Sequence, residues 1–156
     1  MEHDPGGPIG GADVTLRRWT IDLTSGKVRD ELVDDRAQEF PRVNETLLAS
    51  KHRYGYAAGF VNTDYFKHDF DRGTTEVHAF GAGRVPGELV FVPAAGATAE
   101  DDGWLMGFVY DATTDRSDFV VLDAAGFTST PVATVKLPRR VPFGFHGNWI
   151  PDSRRV

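Results

Sequence analysis

One histidine and two glutamates are the residues whose types and spacing could do chemistry in this sequence. His146 lies in GFHGNWIP, Glu39 opens EFPRV, and Glu88 opens ELVFVP. A neutral imidazole can ligate a transition metal, act as a catalytic base or fill space in a core. A carboxylate can orient a metal-binding imidazole by accepting a hydrogen bond from its other ring nitrogen. A lone glutamate at the start of a strand is ordinarily solvent-exposed, so the interpretation depends on the elements that position these three.

The elements around them repeat along the chain. Glycines and prolines separate short runs rich in aromatic and β-branched residues, which is typical of an all-β protein. Hairpins at 19–33, 65–80 and 119–137 each carry an aspartate before a glycine turn, and these aspartates are 47 and 54 residues apart. Glu39 and Glu88 are 49 residues apart. These periods are close to the roughly 40–50 residues of one four-stranded propeller blade.

The repeat predicts an all-β fold in the form of a partial β-propeller. A closed propeller needs about four blades or more, so a chain of this length supplies only part of a ring. The open strand edges of an incomplete ring expose unpaired N–H and C=O groups, which favours association. The predicted parts are a half blade at 14–33, full blades at 38–83 and 87–140, and the first strand of a further blade at 143–150.

The phase of the repeat places the candidate residues at one point of the ring. The first strand of a propeller blade lines the central axis, and Glu39, Glu88 and His146 each lie in such a strand. We therefore expect their side chains to converge on an axial site, where buried charges must be paired or serve a ligand. Residues 1–12 are predicted to be a disordered tail, and 13–156 to be the propeller portion.

An ordered set of motifs resembles the carotenoid cleavage oxygenases, a family that also includes lignostilbene dioxygenases and retinal pigment epithelium retinoid isomerases. The resemblance begins at about Asp13 and corresponds to only the last third of a family member. The motifs are EFP at 39–41, PGELVFVP at 86–93, EDDGWLMGFVYD at 100–111 and VPFGFHGNWIP at 141–151.

The resemblance implies a seven-bladed propeller with Fe(II) on its axis. The metal of the family is held by four histidines, three of which are steadied by glutamates. On that pattern His146 matches the last iron-binding histidine, and Glu39 and Glu88 match histidine-orienting glutamates. We expect both glutamates to orient histidines of blades that lie outside this chain. The resemblance assigns no further catalytic residue here.

The remaining histidines are poor candidates for completing a metal site. His68 and His78 lie in the outer strands of a predicted blade, so packed or solvated roles are expected for both. His52 lies in a loop-like KHRYGY, and His3 belongs to the predicted tail. Because one axial histidine cannot hold iron tightly, the isolated chain is predicted to be catalytically inert.

The function that the resemblance implies is that of a non-haem Fe(II) dioxygenase, of which this chain forms the C-terminal portion. Such an enzyme cleaves a C=C double bond of a carotenoid, apocarotenoid or stilbene-type substrate with dioxygen. The alternative is a non-catalytic, truncated propeller module that serves as a binding or docking unit. Its partners would be the missing N-terminal blades or further copies associating through open strand edges.

Composition excludes several other classes of protein. The formal net charge of −6 gives no electrostatic reason to bind nucleic acid or an anionic membrane. The chain has no cysteine, so disulfides, thiolate metal sites and cysteine nucleophiles are excluded. No apolar run approaches the roughly 20 residues that a membrane span needs. The N-terminal stretch lacks the features of a signal peptide, which favours a cytoplasmic location.

Overall fold

The computed structural model describes residues 14–60 and 63–152, and the predicted tail at 1–12 lies outside them. Within these ranges a two-stranded, a four-stranded and a five-stranded sheet follow one another along the chain. None of the helices described is long or apolar enough to cross a bilayer. The strands are β1 (Leu16–Ile21), β2 (Val28–Asp34), β3 (Gln38–Arg42), β4 (Tyr54–Gly59), β5 (Asp64–Asp69), β6 (Thr74–Ala79), β7 (Arg84–Pro86), β8 (Val90–Pro93), β9 (Gly103–Asp111), β10 (Arg116–Asp123) and β11 (Ala133–Lys136).

The first sheet is the predicted half blade, an antiparallel hairpin of β1 and β2. Its turn is built by the aspartate of the repeat. The Asp22 carboxylate accepts hydrogen bonds from the backbone N–H groups of Thr24 and Ser25, at 2.9 and 3.2 Å. Gly26 takes the left-handed conformation, with a φ of 69°, which costs glycine little. The predicted hairpin and its glycine turn are confirmed.

The other two aspartates of the repeat also accept hydrogen bonds from the turns that follow their strands, but the third turn is less regular than the first two. Asp69 accepts hydrogen bonds from two backbone N–H groups of the turn after β5, and Gly73 there has a φ of 64°. Asp123 accepts one from the N–H of Ala125 at 3.0 Å. Gly126, however, does not take the left-handed conformation, and a longer connection leads to β11. The turn predicted near residues 124–126 and the antiparallel hairpin are therefore present, but the positive φ expected of its glycine is wrong, because the aspartate can cap a longer loop.

The second sheet is the first predicted full blade, with strands in the order β3-β4-β5-β6. All its pairs are antiparallel, as expected for consecutive strands joined by short turns. The first strand, β3, is irregular. Its register against β4 shifts between Glu39 and Arg42, and Phe40 has a φ of 54°, unusual for a bulky residue. This bulge changes the direction in which the neighbouring side chains point.

The third sheet is the second predicted full blade, and its first strand is also irregular. Both β7 and β8 pair with the same edge of β9, whose other edge pairs with β10. The two segments are therefore one strand interrupted at 87–89, and Glu88 lies in the interruption. Thus Glu39 and Glu88 occupy equivalent places, each where the first strand of a blade loses its regular pairing.

The first strand of a further blade, predicted at 143–150, is not formed. The chain there has no regular secondary structure. A strand requires a neighbouring strand to take up its N–H and C=O groups, and none of the described residues offers one at this place. The predicted strand is therefore wrong for this structure, and side-chain contacts hold the segment instead.

The core lies between the two full blades, where apolar residues of β4 and β5 pack against those of the third sheet. The rings of Tyr56 and Phe91 are stacked, with centroids 6.0 Å apart. Such burial of apolar surface is the main source of stability for stacked sheets. The buried cluster comprises Tyr56, Ala58, Tyr65, Leu89, Phe91, Leu105, Val109, Val120, Leu122, Ala124 and Phe127.

A lysine crosses this interface. The Lys67 side chain is only 3% exposed, and its ammonium donates hydrogen bonds to Asp101 Oδ2 at 2.8 Å and to the carbonyl of Ala124 at 2.7 Å. It also lies 4.4 Å from the centroid of the Tyr54 ring. The buried charge is thus matched by a carboxylate, a carbonyl and an aromatic face, all of which compensate for its lost hydration.

His68, a residue for which sequence analysis expects a packed or solvated role, is buried in the first full blade. Its Nε2 lies 2.7 Å from Gln38 Oε1 and its Nδ1 lies 3.0 Å from Thr75 Oγ1. Burial lowers the pKa of His68 to about 4, with nearby Arg36 acting in the same direction and Asp34 opposing it. The imidazole is therefore neutral in the folded protein at pH 7.

We expect His68 to make the chain acid-sensitive. Between its ordinary pKa of about 6.5 and the folded value of about 4, the unfolded state binds a proton that the native state does not. The free energy of unfolding therefore falls as the pH drops through this window, by about 3 kcal/mol. Asp34, whose pKa is lowered to about 2 by Arg36, stays ionised throughout.

Urea unfolding at several pH values between 7 and 4 measures this effect. The His68→Gln variant should lose most of the pH dependence above about pH 5, where carboxylates stay ionised in both the folded and the unfolded state. The difference between the two pH profiles measures the contribution of His68. His52→Gln, in a half-buried loop position, is the matched control and should keep the full dependence. Equal pH profiles for the natural chain and His68→Gln would contradict the assignment.

Candidate functional site

His146 and Glu88 form a hydrogen-bonded pair. Glu88 Oε1 lies 3.0 Å from His146 Nδ1, and Glu88 Oε2 accepts a hydrogen bond of 2.7 Å from the backbone N–H of Gly147. The glutamate side chain is 6% exposed, whereas the imidazole is 71% exposed. Burial would raise the pKa of the Glu88 carboxyl, but the hydrogen bonds from His146 and Gly147, together with Arg42, outweigh it and lower the pKa.

The pairing fixes the tautomer of the imidazole. An ionised carboxylate only accepts hydrogen bonds, so His146 Nδ1 must carry the proton that it shares with Glu88. In the neutral ring Nε2 then holds a lone pair, and Nε2 has no hydrogen-bond partner among the described residues. The ring of Phe40 packs edge-on against the imidazole, with centroids 5.8 Å apart. The result is an oriented, accessible nitrogen of the kind that ligates a transition metal.

This geometry corrects one expectation. The carboxylate of Glu88 was expected to orient a histidine of a blade outside the chain, but it bonds to His146 of the same chain. Its other oxygen is taken by Gly147, so no second imidazole is needed to satisfy it. The repeat places both residues near the axis, yet it carries no information on which axial side chains touch.

The carboxylate of Glu39 has different surroundings from that of Glu88. It has no hydrogen bond or ion pair within the described part of the chain, and burial raises its pKa. Glu39 pairs through its backbone with Ala58, one residue before the left-handed Phe40. A partly buried carboxylate without a partner is costly, so this one is suited to receive a donor from outside these residues.

Arg42 is a residue of the site that sequence analysis does not single out. Its Nη1 donates hydrogen bonds to Glu88 Oε1 at 3.0 Å and to the carbonyl oxygen of Gly147 at 3.2 Å. Its Nη2 bonds to Glu45. The side chain is 16% exposed. The only available signal is its position three residues after Glu39, on the same irregular strand.

The other described histidines do not join the site. His78 is buried and its Nδ1 lies 2.9 Å from the carbonyl oxygen of Phe127, and the buried His68 has both ring nitrogens engaged. His52 packs edge-on against Phe70. Of the packed or solvated roles expected for His68 and His78, the structure shows the packed one. Within the described ranges no three histidine, cysteine, aspartate or glutamate residues are grouped to hold a metal ion.

Comparison with known proteins identifies the family. Over 164 aligned positions the chain is 44% identical to the carotenoid cleavage oxygenase of Mycobacterium tuberculosis, and the match covers 98% of this chain. The family model described as retinal pigment epithelial membrane protein matches residues 4–151. The chain belongs to the carotenoid oxygenase family.

Solved structures of this carotenoid oxygenase family have the same fold. A variant of the Synechocystis apocarotenoid oxygenase superposes with a TM-score of 0.83 at 35% identity, covering 87% of this chain and 30% of that one. A cobalt-substituted form of the same enzyme gives the same values. The predicted partial β-propeller is therefore confirmed.

The carotenoid oxygenase chain described here is much shorter than its relatives. It corresponds to 32% of the Mycobacterium tuberculosis protein and 29% of the Synechocystis apocarotenoid-15,15'-oxygenase, to which it is 36% identical. It spans about 30% of the length of these curated relatives, so most of the ring in a complete family member is built by other residues.

Proposed function

We propose that this chain is the C-terminal portion of a non-haem Fe(II) dioxygenase. The complete enzyme would cleave a C=C double bond of a carotenoid, apocarotenoid or stilbene-type substrate with dioxygen. The observation that carries the proposal is the pair formed by Glu88 and His146, which leaves an oriented Nε2 free. The similarity to carotenoid and apocarotenoid cleavage oxygenases supports the class of reaction and of substrate.

The residues of the site fit one ligand position of an iron centre. A neutral imidazole nitrogen suits Fe(II), and the existence of a cobalt-substituted form of a relative supports a transition metal in this family. Iron, when bound, would supply the centre that takes up and activates dioxygen. His146 would hold it through Nε2, while the buried Glu88 keeps the proton on Nδ1 and fixes the direction of the ring.

Glu39 would orient a further iron-binding histidine supplied by blades outside this chain. An imidazole N–H would give its partly buried carboxylate the partner that the described residues do not provide. These two roles explain why the carboxylate of Glu88 already accepts several hydrogen bonds within this chain, whereas that of Glu39 accepts none from the described residues. Because only one iron ligand is assigned within this chain, we propose that the isolated chain is inactive. A cytoplasmic location also stays a prediction.

A chimera tests the proposal. The matching segment of the Mycobacterium tuberculosis carotenoid cleavage oxygenase is replaced by this chain, so that the relative supplies the remaining blades. We expect the chimera to bind stoichiometric iron and to cleave an apocarotenoid or a stilbene into two carbonyl products. The isolated chain should bind no stoichiometric iron. A folded chimera without iron would refute the function.

Glu39→Gln separates a ligand-orienting role from a structural one. In the chimera we expect iron affinity to fall by about 10- to 100-fold, as for other partners of metal-binding histidines. In the isolated chain the same change removes a poorly solvated carboxylate, so stability should stay equal or rise by less than about 1 kcal/mol. Iron titration and urea unfolding measure the two effects. Loss of stability without loss of iron affinity would contradict the assignment.

The docking alternative is favoured by exposed apolar residues on the outer faces of the first and third sheets. On the β1–β2 hairpin, Trp19 is 71% exposed, and Ile21 and Val28 lie opposite each other on the same face. We propose that the missing N-terminal blades cover both outer faces, or that copies of the chain associate there. Sedimentation of the isolated chain tests the second outcome. The exposed apolar residues of the two faces are Trp19, Ile21, Val28, Leu32, Trp104, Phe108 and Val135.

A further inference from the structure

The segment that carries His146 has few attachments. It forms no strand, and Phe145 and Trp149 on either side are largely exposed. Its entry is held at Val141, whose N–H donates to Ser117 Oγ at 3.0 Å. Beyond that point, Phe143 packs edge-on against Tyr110 of β9, with ring centroids 5.9 Å apart. The imidazole itself is held by contacts from β3 and from the interruption between β7 and β8. Few attachments mean a low cost of local opening, so each remaining contact has a large influence.

Arg42 makes the contact that joins these elements. A single guanidinium nitrogen, Nη1, bonds both to the carboxylate that holds His146 and to the peptide carbonyl directly after His146. Its second nitrogen is anchored by Glu45 in the 3₁₀ turn after β3. The bulge that begins at Glu39 interrupts the regular alternation of side chains along β3, and it thereby changes the direction of the Arg42 side chain. The guanidinium therefore bridges two neighbouring blades and the C-terminal segment.

We propose that Arg42 is a positioning residue of the metal site. It fixes the carboxylate of Glu88 and the backbone of Gly147 together, and thereby sets the direction of His146 Nε2. The inference rests on the proposed function and extends it to a residue that does not itself touch the metal. A planar guanidinium suits this task because its N–H groups have fixed directions, whereas a lysine ammonium on a flexible stem cannot hold the same geometry.

The first test uses the isolated chain and needs no iron. Arg42→Gln removes the donor of the Gly147 carbonyl and one donor of Glu88. We expect amide hydrogen exchange at Gly147 to rise by about tenfold or more. Nitrogen NMR of the His146 ring in alkaline buffer should change from the Nδ1–H tautomer to a mixture. Arg42→Lys should restore both readouts only in part.

Arg36→Gln is the matched control. Arg36 also pairs with a carboxylate that is 6% exposed, that of Asp34, but it makes no hydrogen bond or ion pair with the described residues of the C-terminal segment. Gly147 exchange and the His146 tautomer should stay as in the natural chain. If Arg42→Gln does not fold, Arg42→Lys decides. Natural values of both readouts in a folded Arg42 variant would overturn the proposal.

The second test separates this inference from the proposed function. In the chimera, Arg42→Gln should lower iron affinity by about tenfold, with Arg36→Gln unchanged. A chimera that binds no iron even with Arg42 intact refutes the proposed function, and Gly147 exchange in the isolated chain then still decides whether Arg42 positions His146. Unchanged iron affinity in an iron-binding chimera would overturn the role toward the metal.

Discussion

Replacing His146 by alanine in the chimera is expected to abolish double-bond cleavage and to weaken iron binding by at least about 100-fold. Among the described residues, the imidazole is the one candidate ligand with an oriented, accessible nitrogen. Loss of a group that merely orients a metal-binding histidine costs about 10- to 100-fold in metal affinity, and loss of the ligand itself should cost no less. Iron content after desalting and product formation from an apocarotenoid measure the two effects.

The fold should survive His146→Ala, because the side chain is 71% exposed and contributes little buried surface. After removal of iron from both proteins, the circular dichroism and the unfolding midpoint of the variant should therefore match those of the parent chimera. His52→Ala is the matched control, since His52 also packs edge-on against a phenylalanine but lies outside the site. Iron content and activity should be unchanged in it. Natural iron binding by the His146→Ala chimera would sink the ligand assignment.

The repeat of the sequence was enough to predict the blades and the phase of the candidate residues. Asp22, Asp69 and Asp123 end equivalent strands because a carboxylate at that point accepts hydrogen bonds from the backbone N–H groups of the turn. This local requirement recurs in every blade, so it leaves a period that can be read. Glu39 and Glu88 also share a local cause, since each lies where the first strand of its blade becomes irregular.

Contacts between blades could not be predicted in the same way. The pairing of Glu88 with His146 joins residues that are 58 positions apart, and no local pattern states which axial side chains meet. The same holds for Arg42, which bonds across 46 and 105 positions to Glu88 and Gly147. The strand predicted at 143–150 is absent because strand formation also depends on a partner that a local pattern does not specify. Its pattern is suitable for a strand, but pairing depends on a neighbour that the described chain does not contain.

Lys67→Met is expected to destabilise the isolated chain by about 3 kcal/mol. Removing one partner of a buried ion pair costs about 3–5 kcal/mol, and the lower value applies because Asp101 keeps 16% of its side-chain surface in water. The carbonyl of Ala124 also loses its lysine donor. Methionine retains the apolar stem and its packing, so the loss reports on the charge and its hydrogen bonds. Urea unfolding at pH 7 measures it.

Lys51→Met is the matched control, because Lys51 pairs with Asp71 at 3.3 Å while remaining 84% exposed. An exposed pair contributes little, so its loss should change stability by less than about 0.5 kcal/mol. Adding Asp101→Ala to Lys67→Met should cost less than the two single changes together, since the second removes a carboxylate that the first has left unpaired. Additive effects would mean that Lys67 and Asp101 do not stabilise one another. The contact between the two blades would then depend on the apolar cluster around Tyr56 and Phe91 and on the other hydrogen bonds between the blades, such as that of His78 with Phe127.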